Sequence, residues 1–140
     1  MALLQHRLIL LRHGETEWSK SGKHTGRTEL ELTEHGRAQA AAAAETVAQL
    51  RLQDAYVISS PRVRARTTAE LAGLHIDEVN PLISEWDYGD YEGTTTEEIR
   101  KAVPNWLVWT HGCPGGETSA EVCQRADRAI EVALQHMQSR

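Results

Sequence analysis

The chain opens its ordered pattern with an unbroken apolar run, Leu8-Ile9-Leu10-Leu11, framed by Arg7 and Arg12. A short run that is apolar at every position predicts a strand over residues 7–12 covered on both faces. That is the setting of a parallel sheet with helices on each side. Residues 19–31 are polar and contain glycine, which predicts a loop. Thr33 predicts an N-cap for a helix that runs through Ala40, Ala44 and Val47 to about Leu50, and its alanine tract favours helix. Ala55-Tyr56-Val57-Ile58 predicts a second strand. Ser60-Pro61 predicts the cap and first residue of another helix, which ends near Gly73 in a left-handed cap. Residues 76–79 predict a third, short strand.

The second half is punctuated more heavily. Residues 85–93 form a loop rich in carboxylates and aromatics. Thr94-Thr95-Thr96-Glu97 matches a capping box and opens a short helix that stops before Pro104. Cys113-Pro114-Gly115-Gly116 predicts a turn, and Thr118-Ser119-Ala120-Glu121 a second capping box. The last helix follows, with Val122, Ala126, Ile130, Leu134 and Met137 along one face. With no internal repeat, low-complexity tract or linker, residues 1–140 are expected to form a single domain. Strands alternating with helices predict the α/β class, in which loops at the strand ends bind ligands.

Composition narrows the function. At 40% hydrophobic and 25% charged residues, the chain matches a soluble globular domain. The formal charge of −5 is unevenly spread: up to Arg66 ten Lys/Arg face seven Asp/Glu, and beyond it five face thirteen. A basic front half on an acidic protein suits a local anion site and argues against nucleic acid as a partner. Cys113 and Cys123 have no metal-ligand spacing, so neither a metal nor another cofactor is expected. No leader or membrane span is read from the sequence, and a cytoplasmic location is expected.

Three stretches carry candidate chemistry. Arg12-His13-Gly14-Glu15 places a guanidinium beside an imidazole at the end of the first predicted strand. Arginine grips phosphate with a planar fork of donors, and an imidazole nitrogen can attack phosphorus. A strand-end histidine is also a common structural residue, and spacing alone leaves both open. The stretch from Ser59 to Glu70 puts Arg62, Arg64 and Arg66 at a helix start, where backbone N–H groups favour anions. Successive helical residues fan out around the axis, so not all three arginines face one point. The loop Glu85-Trp86-Asp87-Tyr88-Gly89-Asp90-Tyr91-Glu92-Gly93 offers a carboxylate that can donate a proton if its aromatic neighbours partly bury it, or else a plain acidic surface. Gly115-Gly116-Glu117 reads mainly as a turn and helix start.

Arg12-His13-Gly14-Glu15-Thr16-Glu17-Trp18, the Ser59 to Glu70 stretch, the Glu85 to Gly93 loop and Gly116-Glu117 occur in this order. Together they resemble the histidine phosphatase superfamily, the phosphoglycerate mutase-like group, across essentially the whole chain. The resemblance is greatest to small bacterial broad-specificity acid phosphatases. It implies a three-layer α/β sandwich with a mostly parallel central sheet and helices on both faces. It implies His13 as the phosphorylated nucleophile, Arg12 and Arg64 as phosphate clamps, and Glu85 as proton donor. Thr25 and Gly26 match positions that touch substrate in the family, and Ser19 stands where an asparagine is common. The implied activity is hydrolysis of small phosphate monoesters through phosphohistidine, without a metal. The implied partner is a small phosphorylated substrate or inorganic phosphate.

The family also uses a second histidine, in a His-Gly motif on a strand after the last helix, and no such strand follows residue 138 here. His111-Gly112 precedes the Gly116-Glu117 turn, the wrong order for that motif, and His136 is expected to be a solvated helix residue. The fold is therefore expected to lack its C-terminal part, with self-association into a homodimer as one way to cover the exposed edge. Two other functions stay open: mutase-type phosphoryl transfer, and binding of a phosphate ester or a partner without turnover.

Overall fold

The structure is a computed structural model that describes residues 6–138; residues 1–5 and 139–140 of the expected domain lie outside the described residues. Its sheet pairs Ile58–Ser59 (β1) in parallel with Glu78–Val79 (β2), Ile58 opposite Glu78 and Ser59 opposite Val79. These pairs sit at the ends of the second and third predicted strands. A parallel pair needs a crossover, and helix Val63–Leu71 (α3) supplies it. α3 packs on β1 and on the long helix Glu34–Gln49 (α2). The class is α/β, as expected.

The first predicted strand is different. Residues 6–15 have no strand pairing, and Leu8, Ile9, Leu10 and Leu11 are 56%, 41%, 87% and 43% exposed. Cover on both faces needs neighbouring strands, and none of the described residues pairs with this run. The segment is fixed at its far end instead. The Gly14 N–H donates to Thr68 Oγ1 (3.0 Å), the Glu15 N–H to Gln39 Oε1 (2.9 Å), and Glu15 O accepts from the Thr33 N–H (3.0 Å).

Other boundaries shift by a residue or two. A short helix, Glu17–Ser21 (α1), begins where a loop was expected, because Thr16 and Ser19 form a reciprocal capping box. α3 starts at Val63, since the Ser60 hydroxyl accepts from the Arg62 N–H and holds Ser60-Pro61 in a turn before the helix. Its end is as expected, with Gly73 left-handed at φ 82°. Helix Thr96–Ala102 (α4) is capped by Thr95, which accepts from the Glu98 N–H, one residue later than the box read from the sequence.

The packed core of the second half is Ile99, Trp106 and Cys113, with Tyr88, Tyr91, Val103 and Val108 against it. Trp106 stands edge-on to Tyr91, and its indole N–H donates to Gly112 O (2.9 Å). Burial pushes the Cys113 thiol up to about 11, so it is a core filler and not a nucleophile. Val108–His111 (α5) and Ser119–Gln138 (α6) complete the described elements. α6 packs on α5 and on a 3₁₀ turn, Pro81–Ile83, and its expected apolar face stays half open: Ile130 and Leu134 are 49% and 47% exposed. His136 is no solvated side chain; its ring stacks on Tyr56 at 3.7 Å and its Nε2 lies 3.5 Å from Glu78. No helix among the described residues is long and apolar enough to cross a membrane.

The joint that carries the site is a glycine contact. A Cβ on Gly36, in the first turn of α2, would lie 2.1 Å from Glu15 O, and one on Gly14 would lie 2.4 Å from Gly36 O. Alanine ordinarily improves a helix by about 1 kcal/mol over glycine. Here the contact is with backbone, and forced overpacking costs about 1–3 kcal/mol. Gly36→Ala is therefore expected to lower stability by up to about 2 kcal/mol net, read from the midpoint of urea unfolding; a raised midpoint would refute the contact.

Candidate active site

His13 sits half-buried at the end of the N-terminal segment, with Nδ1 2.7 Å from its neighbour's carbonyl, Gly14 O. A nitrogen facing a carbonyl at that distance carries the proton, so the neutral ring presents Nε2 as a lone pair. Burial holds the imidazole below its ordinary value of 6.5; the Gly14 carbonyl opposes, Arg64 and Arg12 add to the lowering, and Glu85 opposes it weakly. These interactions place both arginines and Glu85 within Coulombic reach of His13.

Arg64 comes from the first turn of α3 and is 2% exposed. A buried guanidinium needs hydrogen-bond partners. It finds them in one loop: Nη1 donates to Thr28 O (2.7 Å), and Nη2 to Gly26 O (2.7 Å) and Thr25 O (3.5 Å). Burial lowers its pKa from the ordinary value, with Glu29, Glu85 and Glu92 acting the other way and Arg62 adding to the lowering. Arginine stays charged throughout.

The other face of the same loop is held by Glu92. Its carboxylate accepts from the Gly26 N–H (2.6 Å), the Thr28 N–H (3.1 Å) and the Thr28 hydroxyl (3.3 Å). Gly26 has no room for a side chain, since a Cβ would lie 2.2 Å from Trp86 O, beside Glu85. Thr25 and Gly26 thus join Arg64 to the Glu85 loop through main-chain atoms. Ser19 is exposed and its hydroxyl belongs to the α1 cap, accepting from the Thr16 N–H at 2.9 Å.

The start of α3 differs from the anion site read from the sequence. The Val63 N–H faces both carboxylate oxygens of Glu29 at 3.4 Å, and Arg62 lies 3.7 Å from the same carboxylate. A protein anion already occupies that end. Arg66 is exposed and bonds back to Pro61 O. Arg12 is exposed beside His13.

Glu85 is exposed, so its aromatic neighbours do not supply the partial burial that was one of the two readings of this loop. Trp86 and Tyr88 turn away from it. Trp86 is 6% exposed, donates its indole N–H to Glu117 O (2.9 Å) and meets Trp109 edge-on at 5.3 Å, while Tyr88 stacks beside His24. The Glu85 carboxylate accepts from the Trp86 N–H at 2.7 Å.

A hollow of about 220 Å³ borders Arg12, His13, Gly14, Gln39, Ala40 and Thr68, on the α2 side of His13 and away from Arg64 and Glu85. A larger one, about 380 Å³, lies between the ends of α2 and α3 and holds none of the four candidate catalytic groups. Among the described residues, no three His, Cys, Asp or Glu side chains are grouped to hold a metal ion.

A half-buried histidine with two arginines and a glutamate in Coulombic reach, on an α/β frame, has its counterpart in a known group. Residues 8–140 match the histidine phosphatase superfamily (branch 1), and the chain belongs to it. An acid phosphatase of Mycobacterium tuberculosis is 58% identical over 140 residues, which are all of this chain and 69% of that protein. Sedoheptulose 1,7-bisphosphatase of Saccharomyces cerevisiae is 38% identical over 152 residues, covering 93% of this chain and 56% of that protein. A Mycobacterium tuberculosis open reading frame whose structure is solved superposes with a TM-score of 0.88 at 58% identity, over 91% of this chain and 66% of that one. The chain thus spans between about half and just over two thirds of these relatives' length.

Lowering of the His13 pKa has a stability consequence. Below pH 6.5 the unfolded chain takes up a proton that folded His13 resists, so the folded state loses ground as pH falls from 6.5 through the depressed native value. His13→Gln is expected to flatten that part of the stability curve. A titration of the His13 ring by NMR with a midpoint at or above 6.5 would refute the burial.

Proposed function

We propose that the chain hydrolyses small phosphate monoesters through a phosphohistidine at His13. The observation that carries this is the Nδ1 contact with Gly14 O, which leaves Nε2 as the attacking lone pair beside two guanidinium groups and a carboxylate. In the first step Nε2 bonds to phosphorus while the ester P–O bond breaks. The departing oxygen takes that electron pair and a proton from the Glu85 carboxyl. Arg12 and Arg64 balance the charge on the three phosphoryl oxygens throughout. In the second step water attacks phosphohistidine, Glu85 takes its proton, and inorganic phosphate leaves from Nε2. Exposure of Glu85 suits a group that meets first the ester oxygen and then water.

Thr25 and Gly26 take part by holding Arg64, and Ser19 is assigned a rim contact at most. The names of the two phosphatase relatives support hydrolysis over mutase transfer. So does the scarcity of cations after the Glu85 loop. Residues 94–110 contain only Arg100 and Lys101, and Arg100 donates to Trp106 O (3.0 Å). Leu107 and Trp109, 50% and 64% exposed, give that side an apolar rim. Two free thiols support a reducing, cytoplasmic setting.

Incubation with a labelled phosphate donor is expected to give an acid-labile, alkali-stable adduct. His13→Ala should lose the label and lower kcat/KM by about 10³-fold or more. Undiminished labelling of that variant would overturn the assignment.

A further inference from the structure

The Glu85 side chain has a single hydrogen-bond partner among the described residues, the adjacent Trp86 amide. An exposed carboxylate with so little to hold it is aimed by its backbone. That backbone is fixed from α6 and from the turn before it. Arg125 donates Nη1 to Leu82 O (3.1 Å) and to Ser84 O, and Nη2 to Glu85 O (3.3 Å). The same guanidinium forks onto Glu117, Nε to Oε2 at 2.9 Å and Nη2 to Oε1 at 2.7 Å. Glu117 then holds the residues on the other side of Glu85. Its Oε1 accepts from the Asp87 N–H (2.8 Å), its backbone O from the Trp86 indole (2.9 Å), and its N–H donates to Asp87 O (2.9 Å).

We infer that the Arg125–Glu117 pair positions Glu85, and that its specific contribution is to proton transfer onto the leaving oxygen. The inference rests on Glu85 as the proton donor of the proposed hydrolysis. Arg125 and Glu117 have side-chain exposures of 19% and 14%, so the pair is largely sheltered from water. Arginine is required by geometry: five donors in a fixed fork serve a carboxylate and three carbonyls at once. A lysine ammonium keeps the charge but offers three donors from one point.

Leaving-group dependence separates positioning from general damage. Dinitrophenolate departs from phosphorus without a proton, whereas the alkoxide of glycerol phosphate needs one. General acid catalysis is worth about 10²–10⁴-fold. Arg125→Lys is expected to lower kcat/KM for glycerol phosphate by about 10–100-fold and for dinitrophenyl phosphate by less than about 3-fold. Glu85→Gln should show the same asymmetry more strongly. Should Arg125→Lys fail to fold, Glu117→Gln keeps the side chain's size and an acceptor for the Asp87 amide, and carries the same comparison. Equal losses on both esters in a folded variant would overturn the positioning role and leave the hydrolysis proposal standing. No turnover of either ester by the unaltered chain would overturn the hydrolysis proposal itself, and the inference with it.

Discussion

A buried positive charge organises this molecule. Arg64 is almost fully enclosed, and removing a guanidinium from water is tolerable only where oxygen atoms replace the lost hydration. The carbonyls of Thr25, Gly26 and Thr28 do so, which obliges the chain to curl around the arginine head. Curling turns the amides of Gly26 and Thr28 outward, where Glu92 accepts them. The loop is therefore bracketed by a cation on one side and an anion on the other. Its tight contact with Trp86 O brings the Glu85 segment alongside.

The remaining parts hang on this bracket through α3. Arg64 O accepts from the Thr68 hydroxyl, and Thr68 Oγ1 in turn accepts from the Gly14 N–H. One helical turn thus connects Arg64 to the backbone beside His13. His13 is then aimed by its own neighbour's carbonyl and by the close approach of α2 at Gly36. Proximity of His13, Arg12, Arg64 and Glu85 follows from main-chain hydrogen bonds more than from contacts among the four side chains.

Much of the site was legible because its chemistry is local. Arg12 and His13 are adjacent, and Arg64 lies in a helix start whose punctuation by Ser60 and Pro61 is plain. The Leu8–Leu11 run was misread as a covered strand, since an apolar pattern records what a segment requires and not which neighbour supplies it. Exposure of Glu85 was one of two readings left open: Trp86 is buried and Tyr88 partly buried, but alternation along an extended segment sends successive side chains to different surroundings. Arg125 escaped notice, and Glu117 was read only within a turn and helix start, for a different reason. They stand eight positions apart across a helix start, and their shared targets at 82–87 become neighbours only in three dimensions. The one available signal is that Arg125 falls at i+3 from Val122 and i−4 from Ala129, on the partly buried side of α6.

Holding Arg64 by carbonyl oxygens has a consequence for how such a site can change. Every residue type carries a carbonyl, so the direct grip on the guanidinium does not depend on the side chains at 25 and 28, although the Thr28 hydroxyl also donates to Glu92. Gly26 is restricted more severely, by the space beside Trp86. The setting of Arg64 is in this sense written in the backbone, while the rim of the candidate site is written in side chains. Replacements along that rim can alter the surface around the candidate site and leave the hold on Arg64 intact.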